Sequence, residues 1–214
     1  MSRIIDIGLE EQTVLLKRMS ELTYQTLALS IQGYLKGKSV QQQVREMSQM
    51  LTAMEDKIED NTFELIARFQ PVASDLRTIK SYMKIAYDFA RYGRYALDIS
   101  YINDKLNGLK ECEAWEKAYV KEMSKKVLLM VKISVNSLRK LDLTLAKTVS
   151  QTEGEVDKMF FDYLQRITGA KQANSKCVIS STLMTRYLER IADHATYVCE
   201  SIVYIVTGEK VTLT

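Results

Sequence analysis

Two pairs of acidic residues are the first candidates for chemistry in this sequence. Glu189 and Asp193 stand four apart in the last strongly apolar-periodic segment, and Glu153 and Asp157 repeat that spacing one segment earlier. On a helix, residues four apart lie on one face, one turn from each other. Counted from the apolar seam of its segment, the Glu189/Asp193 pair points away from the core, towards solvent. If the two helices run side by side, four carboxylates can converge. An oxygen-only donor set suits hard or borderline cations such as magnesium, manganese or iron. Like charges at this spacing repel, and either a bound cation or the neighbouring Arg190 and Lys158 would relieve the repulsion. Spacing alone fits a solvated acidic face at least as well, because such pairs are common on helix surfaces.

Other catalytic chemistry finds little support. The chain has one His, His194, which excludes most zinc sites and the paired Glu-x-x-His motifs of di-iron carboxylate enzymes. A lone His is more often a packing or surface residue than a ligand. No Gly-x-Ser-x-Gly, Walker loop or Gly-x-Gly-x-x-Gly occurs, and a Ser-His-Asp triad would rest on His194 with nothing to place a serine beside it. Tyr82, Tyr87, Tyr92 and Tyr95 crowd one helix and read as core and rim residues rather than a platform for bases. Cys112, Cys177 and Cys199 are a sparse, odd set without a Cys-x-x-Cys, expected to be buried reduced thiols.

The elements that must carry these residues are helices. Eight Gly and one Pro in 214 residues compare with roughly fifteen and ten at average usage. A chain with so few turn residues cannot make the regular turns of a β-sandwich or barrel. Helical rhythm is plain instead. Met184, Leu188, Ile191, Ala195, Val198, Ile202 and Ile205 step by alternating fours and threes. Leu15, Met19, Leu22, Thr26 and Leu29 do the same near the start, and Val120, Met123, Val127, Met130 and Leu141 in the middle. Breaks at 33–39, before Pro71, at 103–108, at 142–148, at 169–175 and at Gly208 leave six helices, roughly 8–34, 40–69, 72–105, 111–141, 146–168 and 173–207. Pro71 is expected to open the third. The stretch Phe89–Ala96 aligns with Leu188–Ala195, 99 residues later, matching Arg91 with Arg190 and Ala96 with Ala195. The expected fold is therefore all-α: six long helices in a tandem repeat of two antiparallel three-helix bundles, residues 1–107 and 108–214.

Charge restricts partners more than it identifies them. Thirty Lys+Arg against 27 Asp+Glu leave +3, with no basic run, so direct nucleic-acid binding is not expected. The N-terminus lacks a signal-peptide apolar run, and no charge-free apolar stretch approaches ~18 residues. A cytoplasmic protein without membrane insertion is expected.

Four segments are more specific than periodicity requires: Gln70-Pro-Val-Ala-Ser-Asp-Leu-Arg77, Asp88-Phe-Ala-Arg-Tyr-Gly93, Leu188-Glu-Arg-Ile-Ala-Asp-His-Ala195 and Tyr204-Ile-Val-Thr-Gly-Glu209. In type and order they resemble the PhoU family of phosphate-uptake regulators, over essentially the whole chain. The resemblance implies tandem three-helix bundles, a usually dimeric protein, and a non-enzymatic role. That role is negative regulation of phosphate uptake and homeostasis, by docking on the ATPase of a phosphate ABC transporter or on a phosphate-sensing signalling protein. It also implies metal clusters held by (E/D)xxxD pairs on the second and third helices of each bundle. Glu153, Asp157, Glu189 and Asp193 match those pairs. The first half departs from them, with Ser48 and Thr52, then Ala90 and Arg94, at the corresponding positions, while Glu55 and Glu59 stand in another register. The expectation is one metal site, in the second bundle only, holding iron, with manganese, magnesium or zinc as alternatives. Two other functions compete: a transcriptional co-regulator, for which the early start of the first helix leaves no room for a DNA-binding domain, and a carboxylate metalloenzyme.

Overall fold

The computed structural model describes residues 3–169 and 174–213. It has six long helices and one short one: α1 (Ile4–Lys36), α2 (Gln41–Phe69), α3 (Ala73–Leu106), α4 (Ala114–Lys140), α5 (Leu143–Lys147), α6 (Val149–Thr168) and α7 (Ser175–Thr207). The sequence breaks fall where expected to within a few residues. The soft break at 142–148 holds α5, which begins on an N-cap in which Asp142 accepts from the Leu145 N–H at 3.0 Å. The expected start of the last helix at 173 lies outside the described residues. Pro71 does not open α3. Gln70 closes α2 in the left-handed region, Val72 is extended, and Asp75 folds back to accept from the Val72 N–H at 3.1 Å. The proline thus follows a helix C-cap, where it prevents continuation. Asp75 also takes a two-pronged contact from the Arg3 guanidinium at 2.9 and 3.0 Å, tying the start of α1 to the start of α3. This guanidinium holds the Asp75 carboxyl below its usual range.

Helices α1, α2 and α3 pack as one bundle, and α4, α6 and α7 as the other, with α5 turning the corner between α4 and α6. The seam of α7 is buried as its rhythm requires: Met184, Leu188, Ile191, Ala195, Val198 and Ile202 are fully enclosed. The buried face of α1 is rotated towards one flank of the expected stripe: Met19 and Thr26 are fully buried, Leu15, Leu22 and Leu29 are half-buried, and Leu16, Leu27, Ile31 and Tyr34 complete the core. The cause is that α1 contacts three neighbours, α2, α3 and α4, so its buried face is wider than one seam. Leu141 is exposed, because α4 has already ended at Lys140.

The two bundles meet along α3 and α7, with α1 against α4. The 99-residue repeat makes Asp88 the counterpart of Tyr187, and Tyr95 the counterpart of His194. Across the interface Asp88 bonds His194 at 2.8 Å, and Tyr95 packs on Tyr187 with centroids 6.0 Å apart. Each contact is the image of the other, so a pseudo-two-fold axis passes between α3 and α7. The repeated residues Arg91 and Arg190 are close enough to affect one another electrostatically. Asp88 and His194 are both buried, and Tyr87, Tyr92, Tyr95 and Tyr197 surround the imidazole. The lone His is thus a packing residue that joins the two bundles.

Candidate functional site

Glu153 and Asp157 lie one turn apart on α6, Glu189 and Asp193 one turn apart on α7, and the two helices pack side by side. All four carboxylates therefore come to one face of the second bundle. Contrary to the expected solvent-facing orientation, Glu189 is 8% exposed and Asp193 is half-buried. The α7 seam faces α4 and the first bundle, so the flank carrying these residues is covered by α6.

The electrostatics record this crowding. Burial pushes the Glu189 carboxyl up to about 6, with the Asp193 charge adding to it and Asp157 contributing further; Arg186 and Arg190 oppose the rise. Burial likewise raises Asp193, and it raises Glu153, reinforced by Asp157 and Asp193. The repulsion therefore acts across the helix pair and not only within each helix. Two arginines of α7 offset part of it: Arg186 lies 2.8 Å from Glu189 Oε2, and Arg190 donates to Asp193 Oδ2 at 2.8 Å. Even so, Glu189 Oε2 is buried and accepts no well-aligned hydrogen bond.

These residues fit a metal in donor type and in crowding, and the buried Glu189 Oε2 has the Arg186 ion contact alone. They are not drawn into a closed set. Among the described residues, the one group of three or more potential ligands whose donor atoms lie within 4.8 Å of one another is Cys112, Glu116 and Cys177. Arg186 and Arg190 pair with two of the four carboxylates along α7, and a cation binding between α6 and α7 would have to displace them.

The first bundle is built differently at the matching place. Ser48 and Ala90 are buried, and Gly93 lets α2 and α3 approach so closely that a Cβ there would stand 2.8 Å from Leu51 Cδ1. Arg94 crosses from α3 to Glu55 on α2 at 3.2 Å. A guanidinium thus bridges the two helices of the first bundle. Burial still holds the Glu55 carboxyl above its usual range, with Arg94 pulling it down.

Sequence reasoning missed one constellation. The three cysteines were expected to be reduced thiols, but Cys112 and Cys177 are joined in a disulfide, and only Cys199 is free, buried in the core. They lie 65 residues apart, a separation that carries no pairing signal. Their meeting follows from the bundle, which brings the loop before α4 against the first turn of α7.

Comparison with known proteins places this architecture. The PhoU domain family model matches residues 16–102 and again 120–202. A phosphate-specific transport system accessory protein PhoU homolog of Clostridium acetobutylicum is 30% identical over 216 residues, covering 99% of this chain and 98% of the relative. A protein of the same name from Pseudomonas putida is 31% identical across 79% of this chain and 67% of its own length. The crystal structure of PhoU from Pseudomonas aeruginosa superposes with a TM-score of 0.89 at 28% identity, covering 95% of this chain and 99% of that one. The phosphate transport system regulatory protein PhoU from Streptococcus pneumoniae, at 21% identity and a TM-score of 0.75, shares the fold.

Proposed function

The chain belongs to the PhoU family, and from that premise we propose that it restrains phosphate uptake by docking on phosphate-transport machinery. The observation that carries this reading is the match over nearly the whole length, in sequence and in fold, to phosphate-transport accessory and regulatory proteins. The chain stands with accessory and regulatory proteins rather than with enzymes. Among the described residues no helix is long and apolar enough to cross a membrane, which supports reaching the transporter by docking.

The partner in this reading is the ATPase of a phosphate transporter, or a phosphate-sensing signalling protein, met in the cytoplasm by a dimer of this chain. Two bundles locked along α3 and α7 make a stiff body, so docking costs little ordering entropy. The division into residues 1–107 and 108–214 is part of the same proposal: two repeats acting as one unit. One cation, iron by preference over manganese, magnesium or zinc, sits between Glu153, Asp157, Glu189 and Asp193. Arg94 replaces the cation in the first bundle.

The test is a pull-down from native cells grown in high phosphate, comparing wild type with Glu189→Ala/Asp193→Ala. Recovery of a phosphate-transporter ATPase by wild type supports the regulator. Its absence, with the transporter demonstrably expressed, would sink it. Elemental analysis of the same proteins with the Cys112–Cys177 disulfide intact should find one metal equivalent in wild type and none in the variant, and two per chain would refute the single site.

A further inference from the structure

Cys112, Glu116 and Cys177 form a buried constellation that the four-carboxylate reading leaves unused. They are 6%, 3% and 3% exposed. Glu116 Oε1 lies 3.1 Å from Cys177 Sγ and 3.5 Å from Ser181 Oγ, while Oε2 accepts from the Glu113 N–H at 3.0 Å. Tyr163 donates its hydroxyl proton to Ser181 Oγ at 2.5 Å, closing the polar pocket. Among the described residues no ion pair reaches Glu116. This is a carboxylate withdrawn from water, beside two sulfurs, without a cation.

Two helix starts supply positive potential here. Cys112 directly precedes the N-cap of α4, Glu116 is in its first turn, and Cys177 is in the first turn of α7. Helix N-termini favour anions and thiolates. When the disulfide is reduced, the pocket holds two ionisable thiols next to a carboxylate. Three anionic donors in one dry site cannot all be charged without a counter-ion. A divalent cation that prefers thiolate ligands satisfies all three, and two sulfurs with one carboxylate oxygen are ligand types that zinc accepts.

We propose that the reduced Cys112–Glu116–Cys177 group is a binding site for a thiophilic divalent cation of the zinc class, and that the disulfide is its metal-free, oxidised alternative. Reduction balances as thiol–disulfide exchange: two molecules of a low-molecular-weight thiol deliver two electrons and two protons, the Cys112–Cys177 bond breaks, and the small thiol leaves as its own disulfide. Cation binding then releases the two thiol protons as two sulfur–metal bonds form. Cys112 stands in the loop between α3 and α4, which can give way as the sulfurs separate to their ligand distances. Three protein donors leave the fourth position of a tetrahedral set to a small ligand such as water. In the cytoplasm proposed above, small thiols keep such pairs reduced, so the cation-binding form would prevail there.

The site differs from the carboxylate face in ligand chemistry, and one probe separates them. The full-length chain, reduced and freed of reductant under anaerobic conditions, is titrated with Co²⁺ and followed by absorption. The expected result is one thiolate-bound Co²⁺ per chain, seen as a sulfur-to-cobalt charge-transfer band, displaced by Zn²⁺. Oxidised protein, with one titratable thiol, shows no such band. Cys112→Ser and Cys177→Ser lose it, while Glu116→Gln keeps it at lower affinity; circular dichroism checks that each variant stays helical. Co²⁺ held by α6 and α7 would absorb weakly, without a thiolate band, and would survive oxidation. A reduced, helical chain with three titratable thiols and no thiolate band would overturn the proposal, as would a band that persists in Cys177→Ser.

Discussion

A carboxylate held in the folded state against its own ionisation should destabilise the protein, and Glu189 is placed to show it. Its carboxyl is pushed up to about 6 from 4.5. The sign follows from proton linkage. A group whose folded pKa is raised contributes stability that is fully present below its unfolded pKa and is lost as pH rises through the folded value. Between pH 4 and pH 7.5 the metal-free protein should therefore lose stability through this group. A shift of about 1.5 units at 1.36 kcal/mol each sets a ceiling of about 2 kcal/mol. Its ion partner Arg186 is 47% exposed, so solvent screening at this edge of the bundle reduces the figure to about 1 kcal/mol. Glu189→Gln removes the charge and keeps the shape. In metal-free protein at pH 7.5 it should raise stability by about 1 kcal/mol, or about 2–4 °C in Tm for a chain of this size. At pH 4 the two proteins should melt together. Adding Mn²⁺ or Fe²⁺ should raise the Tm of wild type in proportion to the logarithm of its concentration and leave the variant unmoved. Differential scanning calorimetry across pH, with and without metal, measures all of this. If Glu189→Gln instead destabilises the metal-free protein at pH 7.5, the Arg186 ion pair outweighs the repulsion, and the acidic face is structural.

Three further outcomes follow from the same geometry. His194→Ala leaves Asp88 buried without its partner and should cost about 3 kcal/mol, a Tm drop on the order of 6–12 °C; Asp88→Ala/His194→Ala should cost less than the sum of its single changes in denaturant titration. Asp75 is held below its usual range by Arg3, so its contribution is present above its unfolded pKa and is lost as pH falls through the folded value; Asp75→Asn should flatten the acid limb of the stability profile below about pH 4. Reducing the Cys112–Cys177 bond in metal-free protein should cost about 2–4 kcal/mol by loop entropy, read as a lower denaturant midpoint that Cys177→Ser reproduces.

Helix number and type were legible because they depend on local rules: scarce turn residues and a 3.6-residue rhythm. The rotation of α1 was not, because which flank of an apolar stripe is most enclosed depends on how many neighbours the helix has. The same limit explains Glu189. Its place opposite the seam read as solvent-facing, but a helix inside a bundle has neighbours on more than one side, and α6 covers that flank. The carboxylate pairs were found by their spacing, whereas the arginines that restrain them were visible only as nearby charges. Cys112, Glu116 and Cys177 had no signal at all, since a contact across 65 residues exists only once α4 and α7 are packed.

The pseudo-two-fold axis gives the asymmetry of the two halves its meaning. At the axis the repeat is used symmetrically, with Asp88–His194 and Tyr95–Tyr187 as images of each other. Away from it the halves solve the same problem differently. Each must hold its second and third helices together across a face where acidic residues gather. The first does so with an internal cation, Arg94 on Glu55, and with the close approach that Gly93 allows. In the second, Arg186 of α7 lies over the Phe160 ring of α6, but among the described residues no guanidinium of α7 pairs with a carboxylate of α6; Arg186 and Arg190 make their ion pairs within their own helix. The repulsion between α6 and α7 is therefore only partly offset, by arginines paired within α7, in the half that also carries four oxygen-donor side chains. A guanidinium is a bridge built into the chain, whereas in the proposed reading a diffusible ion bridges the carboxylates of the second bundle, so the helix pairing there would respond to conditions outside the chain.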